Sequence, residues 1–504
     1  MPLDPTNLTR RTVKAGAWTV GSRLVAKSID LAMLLCLARF LGPADFGLVA
    51  MAMAAVFIVE ALFELPMAAA LIRVPTLTPA MLHTAFTLSL LRGLLIACVL
   101  IALSWPLAAF NGEPRLMALM AVLALAPALR GLVNPRIVEY ARALNFRPDT
   151  VMELSAKALA FTASVALAVT TRSYWAIAAA TVCGPLVSTL LSYCIAPMRP
   201  RLTLSEWRHF SNLVGWNFLS QLFAALNWQI DRLLLPRLTT DATFGQYAMS
   251  KQVSEMPMQV LIAPLARPTI AALSTAGSNR CSRYLQLSHG VALAMIPVLG
   301  VPLLCPEALI RIILGPGWEP AAQGLRWLSA VALLGLPAVL VGPLAMTLDR
   351  TRWVAVRNLV ELSIRLPLVG LGIVFFGVPG AIAGSAIATA SSTLGSLFMV
   401  RRLLDVGLGR QLMALWRPLL AMLPAGGVLW LAKPALAVST GLAELLLKAA
   451  LVGALYASVY ALSLALAWWL AGRPAGLERH LIEMLGDRFK RSNNAMEFHG
   501  NQTH

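Results

Sequence analysis

The sequence predicts an all-α polytopic membrane protein, about fourteen transmembrane helices in two parallel-repeat six-helix lobes plus two extra helices. Three observations lead there. The 504 residues are 58% hydrophobic and only 13% charged, against about 25% charged in ordinary soluble domains. Apolar runs of about 18 residues or more, long enough to cross the hydrocarbon core as helices, follow one another almost to the C-terminus. Third, a phrase recurs: RFLGPADFGLVAMA at 39–52 and RLTTDATFGQYAMS at 237–250 agree, 198 residues apart, at Arg39/Arg237, Ala44/Ala242, Phe46/Phe244, Gly47/Gly245, Ala50/Ala248 and Met51/Met249. A large soluble core is excluded, because almost no polar face is left to meet water. Helices are expected because backbone groups in lipid need partners within their own segment. The short alternating segments of a membrane barrel do not occur.

Taken in order, residues 1–16 read as a cytoplasmic N-terminal segment. The predicted N-lobe, 17–200, has spans near 17–38, 47–70, 83–108, 115–133, 151–170 and 173–197. The C-lobe, 201–402, has spans near 209–235, 245–272, 284–304, 321–347, 357–377 and 379–400, and the two extra helices, 411–432 and 441–471, fill 403–471. Each copy of the repeated phrase joins the first and second span of its lobe. Six spans separate the copies, so both halves point the same way and are related by an axis along the membrane normal. Pro66 and Pro264 share the register and should kink the second and eighth helices. Gly47 and Gly245 read as residues of the interfacial turns. Gly380 and Gly384 have the small-xxx-small spacing of close helix packing. TLSE at 203–206 reads as a capping box for the seventh helix. In 472–504, Leu477, Leu481, Leu485 and Phe489 recur every four residues beside basic neighbours. That predicts an amphipathic helix on the cytoplasmic leaflet, followed by a disordered end.

Orientation follows from the basic residues. With the N-terminus inside, the inner segments hold 24 Lys and Arg. The outer loops hold five, Arg39, Arg115, Arg172, Arg237 and Lys433, or seven with the borderline Arg311 and Arg326. This is the positive-inside pattern, with both termini in the cytoplasm. It explains most of the +18 net charge without a nucleic-acid partner, whose binding face would cluster Lys and Arg with aromatics. No cleavable signal peptide is expected, because the first span is too long for an h-region. The six cysteines are scattered, without a CxxC, so neither a zinc site nor a disulfide framework is predicted. No phosphate-binding glycine loop is found, and no cofactor is implied.

Several phrases carry a family likeness. ARFLGPADFGLVAMA after the first span resembles the polysaccharide transporter branch of the multidrug/oligosaccharidyl-lipid/polysaccharide exporter superfamily. GQYAMSKQVSEMPMQVL resembles the matching element of its second lobe. ARALNFRPDTV (141–151) resembles its loop before the fifth helix, and FGVPGAIAGSAIATA (376–390) its twelfth helix. The first motif is specific, the others weak, and the likeness runs over most of residues 10–470. It implies an oligosaccharide flippase of the bacterial inner membrane, acting on polyprenyl-diphosphate-linked oligosaccharide units for exopolysaccharide or lipopolysaccharide. Its partners would be that substrate, the membrane lipids, and polysaccharide polymerase and chain-length components.

The residues themselves suggest how such a substrate is held. A charge within the bilayer costs about 2.5–3.5 kcal/mol on insertion scales and normally faces a wet interior. Arg23, Lys27 and Asp30 fall within a sector of roughly 60° on the first helix. On the seventh, Asn217, Gln221, Trp228 and Asp231 share a face with Arg232 beside it. Further candidates for the cavity are Glu60, Glu64, Arg92, Lys157, Lys251, Glu255 and Arg267. Glu153/Lys157 and Glu361/Arg365 have the i, i+4 spacing of structural pairs. Arg23 and Lys27 are alike in sign and cannot neutralise each other, so they are expected to line the cavity. Glu60 and Glu64 leave two readings: one is protonated in a proton-linked switch, or they contact Arg23, Lys27 or Arg92. Arg267 is lumenal or interfacial.

A basic cleft would accept the diphosphate through charge-assisted hydrogen bonds, while the polyprenyl tail stays in lipid beside the thirteenth and fourteenth helices. Rocking of two lobes would open the cleft to either side. The alternative is a cation-coupled multidrug or small-molecule exporter of the same superfamily, with Asp30 as its coupling carboxylate; an acidic cavity would suit it better. A membrane-embedded polymerase or ligase is disfavoured, since no outer loop exceeds roughly a dozen residues and none carries paired carboxylates.

Overall fold

The computed structural model describes residues 5–65, 67–74, 76–143, 145–211, 216–438 and 441–472. Pro66 and the predicted amphipathic helix after 472 lie outside them, as do the side chains of Asn217 and Arg267. All regular structure among the described residues is helical. The helices are α1 (Pro5–Phe40), α2 (Pro43–Leu62), α3 (Met67–Arg73), α4 (Pro79–Asn111), α5 (Arg115–Leu123), α6 (Leu125–Gly131), α7 (Val138–Arg142), α8 (Arg147–Thr171), α9 (Trp175–Ile195), α10 (Arg208–Ser211) and α11 (Trp216–Leu234). They continue with α12 (Asp241–Pro257), α13 (Ala266–Ser274), α14 (Arg280–Leu304), α15 (Pro306–Ile313), α16 (Ala321–Gly335), α17 (Val341–Thr347), α18 (Thr351–Leu404), α19 (Leu408–Met413), α20 (Trp416–Ala437) and α21 (Leu442–Leu470).

Nine of the described helical segments are long and apolar enough to cross a membrane, or eleven if each of two bent pairs is one crossing. The 54-residue α18 is really two. At 1.5 Å per residue it would be about 81 Å long, more than twice the hydrocarbon core. The chain reverses at Gly377, whose φ of 63° and ψ of −139° break the helix. Its arms then pack so closely that a Cβ on Gly372 would lie 2.3 Å from the Gly380 carbonyl oxygen, and one on Gly384 2.7 Å from Leu368 backbone. The small-residue spacing at Gly380 and Gly384 is thus a packing device, as expected. α1 and α11 fall short of the apolar test, and both carry the charged stripes; fourteen crossings requires that both also span.

By internal contacts the chain divides into two compact units, one of Met1–Met256, Ile313–Leu328 and Arg350–Ser392, the other of Pro257–Ile312, Ser329–Asp349 and Thr393–His504. In the first, α1 lies along α8, with Ala26 of one and Ala156 and Ala160 of the other buried. Trp18 donates its indole N–H to Thr150 Oγ1 at 3.0 Å, and Arg147 sits over its ring at 5.8 Å. α2 starts at Pro43, whose fixed φ suits a first helical turn, and the Asp45 carboxylate accepts from the Gly42 N–H at 3.2 Å.

In the second unit, α14 and α20–α21 share an apolar core around Cys305, Leu429, Tyr456 and Tyr460. Pro297 interrupts α14 and leaves the Leu293 carbonyl without its helical donor. In lipid such a carbonyl must find another partner; the Tyr460 hydroxyl donates to it at 3.3 Å, and Tyr456 donates to the Pro297 carbonyl at 2.7 Å.

Two local expectations meet a mixed outcome. The eighth helix does distort around Pro264: α12 passes into a π-helical segment, Met258–Ile262, then a 3-10 turn, Ala263–Leu265, before α13. The capping box at 203–206 does not form. Thr203 and Glu206 donate their backbone N–H groups to Thr87 and Thr84 of α4, at 3.0 and 3.3 Å, and the next helix starts only at Arg208. A tertiary partner has displaced the local cap.

Candidate functional site

The polar residues of the first unit gather in three places. The first lies between α1 and α8. Lys27 and Asp30, three apart on one helix face, form an ion pair at 3.4 Å. Lys157 crosses from α8 to the other carboxylate oxygen of Asp30. One carboxylate therefore serves two ammonium groups, and all three side chains keep between 27% and 42% of their surface exposed. Arg23, a turn earlier, is exposed and has no hydrogen bond or ion pair among the described residues. The predicted Glu153/Lys157 pair does not form: Lys157 turns to Asp30, and Glu153 is exposed. Elsewhere in this unit, Glu60 of α2 accepts from Arg130 of α6 at 2.5 Å. Arg92 interacts electrostatically with both Glu60 and Glu64, and its Nε is buried without a hydrogen-bond partner. Of the contacts open to Glu60 and Glu64, the structure thus favours arginines, with Arg130 in first place.

The second place is sealed. Asp231 of α11 and Lys251 of α12 pair at 2.7 Å, with only 2% and 7% of their side chains exposed. The Tyr247 hydroxyl donates to the same carboxylate, and Lys251 also donates to the Trp228 carbonyl at 2.7 Å. The Arg232 guanidinium donates to Gln229 Oε1 at 3.4 Å. Glu255 lies one turn from Lys251 yet accepts from the Trp228 indole N–H at 2.5 Å. Gln221, expected on this polar face, is exposed. Below it, Asn227 and Asn358 link α11 to α18: Asn227 donates to the Asn358 carbonyl at 2.7 Å, and Asn358 donates to the Ser220 carbonyl at 2.9 Å. Glu361 and Arg365 form their predicted pair at 2.6 Å, with Arg365 also donating to Thr389 at 3.0 Å.

The third place joins the two copies of the repeated phrase. Gly47 and Gly245 meet each other: a Cβ on Gly47 would lie 2.5 Å from the Asp241 carbonyl oxygen, and one on Gly245 1.7 Å from that of Pro43. Phe46 and Phe244 are buried beside them, and the Trp318 ring stands edge-on to Phe46 at 5.3 Å while its N–H donates to the Ala38 carbonyl. Arg115 bridges Glu113, at 2.7 Å, and Asp241, at 3.3 Å. Arg237 donates to the Phe110 carbonyl and covers its ring at 5.2 Å. Hydrogen bonds from Arg115 hold the Glu113 carboxyl below the usual glutamate range. Arg39, Arg115 and Arg237, the arginines of three predicted outer loops, all fall here.

This arrangement of polar stripes inside a helical membrane protein can be set beside known proteins. The profile of the polysaccharide biosynthesis protein family matches residues 36–323, more than half of the chain. The chain belongs to that family. Its relatives include the lipopolysaccharide biosynthesis protein WzxC of Escherichia coli (strain K12), 20% identical over 443 residues, 83% of this chain and 87% of that protein. The succinoglycan biosynthesis transport protein ExoT of Rhizobium meliloti (strain 1021) is 23% identical over 351 residues, 68% of each chain. Among solved structures, lipid II flippase MurJ in an inward closed conformation superposes with a TM-score of 0.70 at 14% identity, covering 90% of this chain and 99% of that one. An inward-facing multidrug resistance MATE transporter gives 0.55 at 13% identity, covering 76% and 96%. This family member therefore has the fold of these polytopic transporters.

Residues of these clusters without a site assignment from sequence include Tyr247, Arg130, Asn358 and Arg115. Tyr247 had a signal, since it precedes Lys251 by four residues and shares its face. For the others the tertiary partners Glu60, Ser220 and Asp241 lie 70, 138 and 126 residues away in the chain, beyond any local pattern.

Proposed function

We propose that the protein is a flippase that moves polyprenyl-diphosphate-linked oligosaccharide units across the bacterial inner membrane, for exopolysaccharide or lipopolysaccharide synthesis. The observation that carries this reading is the cationic surplus between α1 and α8. Two lysines share Asp30, Arg23 stands free beside them among the described residues, and all remain accessible. A diphosphate is a bidentate partner for such a group through charge-assisted hydrogen bonds. Asp30, already engaged by two ammonium groups, is a poor free carboxylate for coupling to a cation, which weighs against the drug-exporter alternative.

In this reading the lobes 17–200 and 201–402 rock about the cleft. The apolar tail stays in lipid along α20 and α21, and both termini lie in the cytoplasm. The flipped unit is released outside to polymerase and chain-length components. Reconstitution with a labelled lipid-linked oligosaccharide, followed by a leaflet-accessibility assay, tests the proposal. Protected label should become accessible with the intact protein and stay protected with Lys27→Glu and Lys157→Glu. Equal flipping by those variants would remove the cationic group from the mechanism.

A further inference from the structure

A cavity of about 380 Å³ opens between α15 and the C-terminal end of α20. Its size falls in the ordinary range for small-ligand sites, roughly 300–1,000 Å³. Its lining combines Cys305, Ala308, Pro434 and Leu436 with the cations Arg311 and Lys433 and the carboxylate of Glu307. Cations beside a helix C-terminus have an ordinary explanation, since they complement its unsatisfied carbonyls. That explanation covers two of the three near this end. Arg311 donates to the Ala437 carbonyl at 3.2 Å, and Lys448 donates to that of Ala435 at 3.2 Å while pairing with Glu444 at 2.7 Å. It does not cover Lys433, which lines the cavity and has no hydrogen bond or ion pair among the described residues.

The surroundings are those of a lipid. The positive-inside pattern places this end of α20 at the outer face. On α20 and on α21, which packs against it, Trp430, Leu431, Leu447 and Leu451 are 64–72% exposed, apolar surface along which an alkyl chain can lie. A cationic pocket on a helix with exposed apolar surface matches a phosphate on a lipid tail, with Lys433 able to meet the anion as a mobile point charge.

The geometry points to a binding site for the phosphate headgroup of a lipid in the outer leaflet, with Lys433 as its cationic ligand. Two sources share this chemistry, a resident anionic phospholipid and a polyprenyl phosphate. The test is native mass spectrometry of the full chain, released from detergent after mixing with phosphatidylglycerol, with polyprenyl phosphate, or with phosphate-free diacylglycerol. Lys433→Gln should reduce retention of a phosphorylated lipid about fivefold and leave diacylglycerol unchanged. Lys448→Gln, whose cation is already engaged, should behave as the unmodified protein. Selective loss of phosphatidylglycerol assigns a resident phospholipid, and selective loss of polyprenyl phosphate assigns the carrier lipid. Retention of both equal to that of the unmodified protein overturns the site, as does equal binding of diacylglycerol. Because Lys433 takes no part in the α1–α8 group and no flipping is read, failure here leaves the transport proposal untouched.

Discussion

Two acid–lysine clusters, one between α1 and α8 and one between α11 and α12, look alike in sequence and differ in kind. In the first, Asp30 serves two lysines and the side chains stay 27–42% exposed. In the second, Asp231 and Lys251 are 2% and 7% exposed, and a tyrosine and a backbone carbonyl take up their remaining hydrogen-bonding capacity. A sealed and balanced pair has nothing left to offer an incoming anion. An open one with surplus positive charge does. In the proposed function the difference separates charge kept for binding from charge kept for architecture, and it is set by what packs around each pair, since both have an Asp and a Lys.

The largest test of that contrast is removal of each carboxylate. Asp231→Ala leaves Lys251 buried without its partner and should cost about 3–5 kcal/mol; Asp30→Ala, at the open cluster, should cost about 0.2–1 kcal/mol. Thermal unfolding in detergent measures both, and equal losses would dissolve the distinction. Next, charge reversal at Lys27 should lower flipping at least tenfold, the scale of one lost charge-assisted hydrogen bond, with unchanged membrane insertion. The paired replacement Asp231→Leu/Lys251→Met should restore most of the stability lost in either single variant, because a packed apolar pair often replaces a buried ion pair at little cost. If flipping also survives, the sealed cluster is architectural; if it is lost while stability holds, that cluster takes part in transport. The smallest effect concerns the Glu113–Arg115 bridge. Glu113 is held below the usual glutamate value near pH 4.3 by Arg115, so the bridge contributes fully above that value and fades as pH falls below it. Arg115→Gln should therefore lower the unfolding temperature by about a degree at pH 7 and by progressively less under acid conditions.

Much of this was legible in the residues. Apolar runs marked the helices, the spacing of Lys27 and Asp30 put them on one face, and Gly380 with Gly384 announced a close approach that the α18 hairpin makes. The i, i+4 rule read Glu361 and Arg365 correctly: they pair along one face of α18, with only 12–14% of their side chains exposed. It failed for Lys157 and Lys251. Each has a carboxylate four residues away on its own helix, yet each turns to an aspartate on another. Once a long side chain faces a neighbouring helix, a carboxylate across the interface meets it with less solvent between them, and local spacing no longer decides. The cap at 203–206 was lost for the same reason, to threonines of α4 that no local pattern reveals.

The meeting of Gly47 and Gly245 has a consequence of its own. Because any side chain would collide with the opposing main chain, the duplicated phrases touch through bare peptide, with no knobs seated in holes. Neither position tolerates drift unless its twin moves aside, which ties the fates of two stretches that lie almost two hundred residues apart.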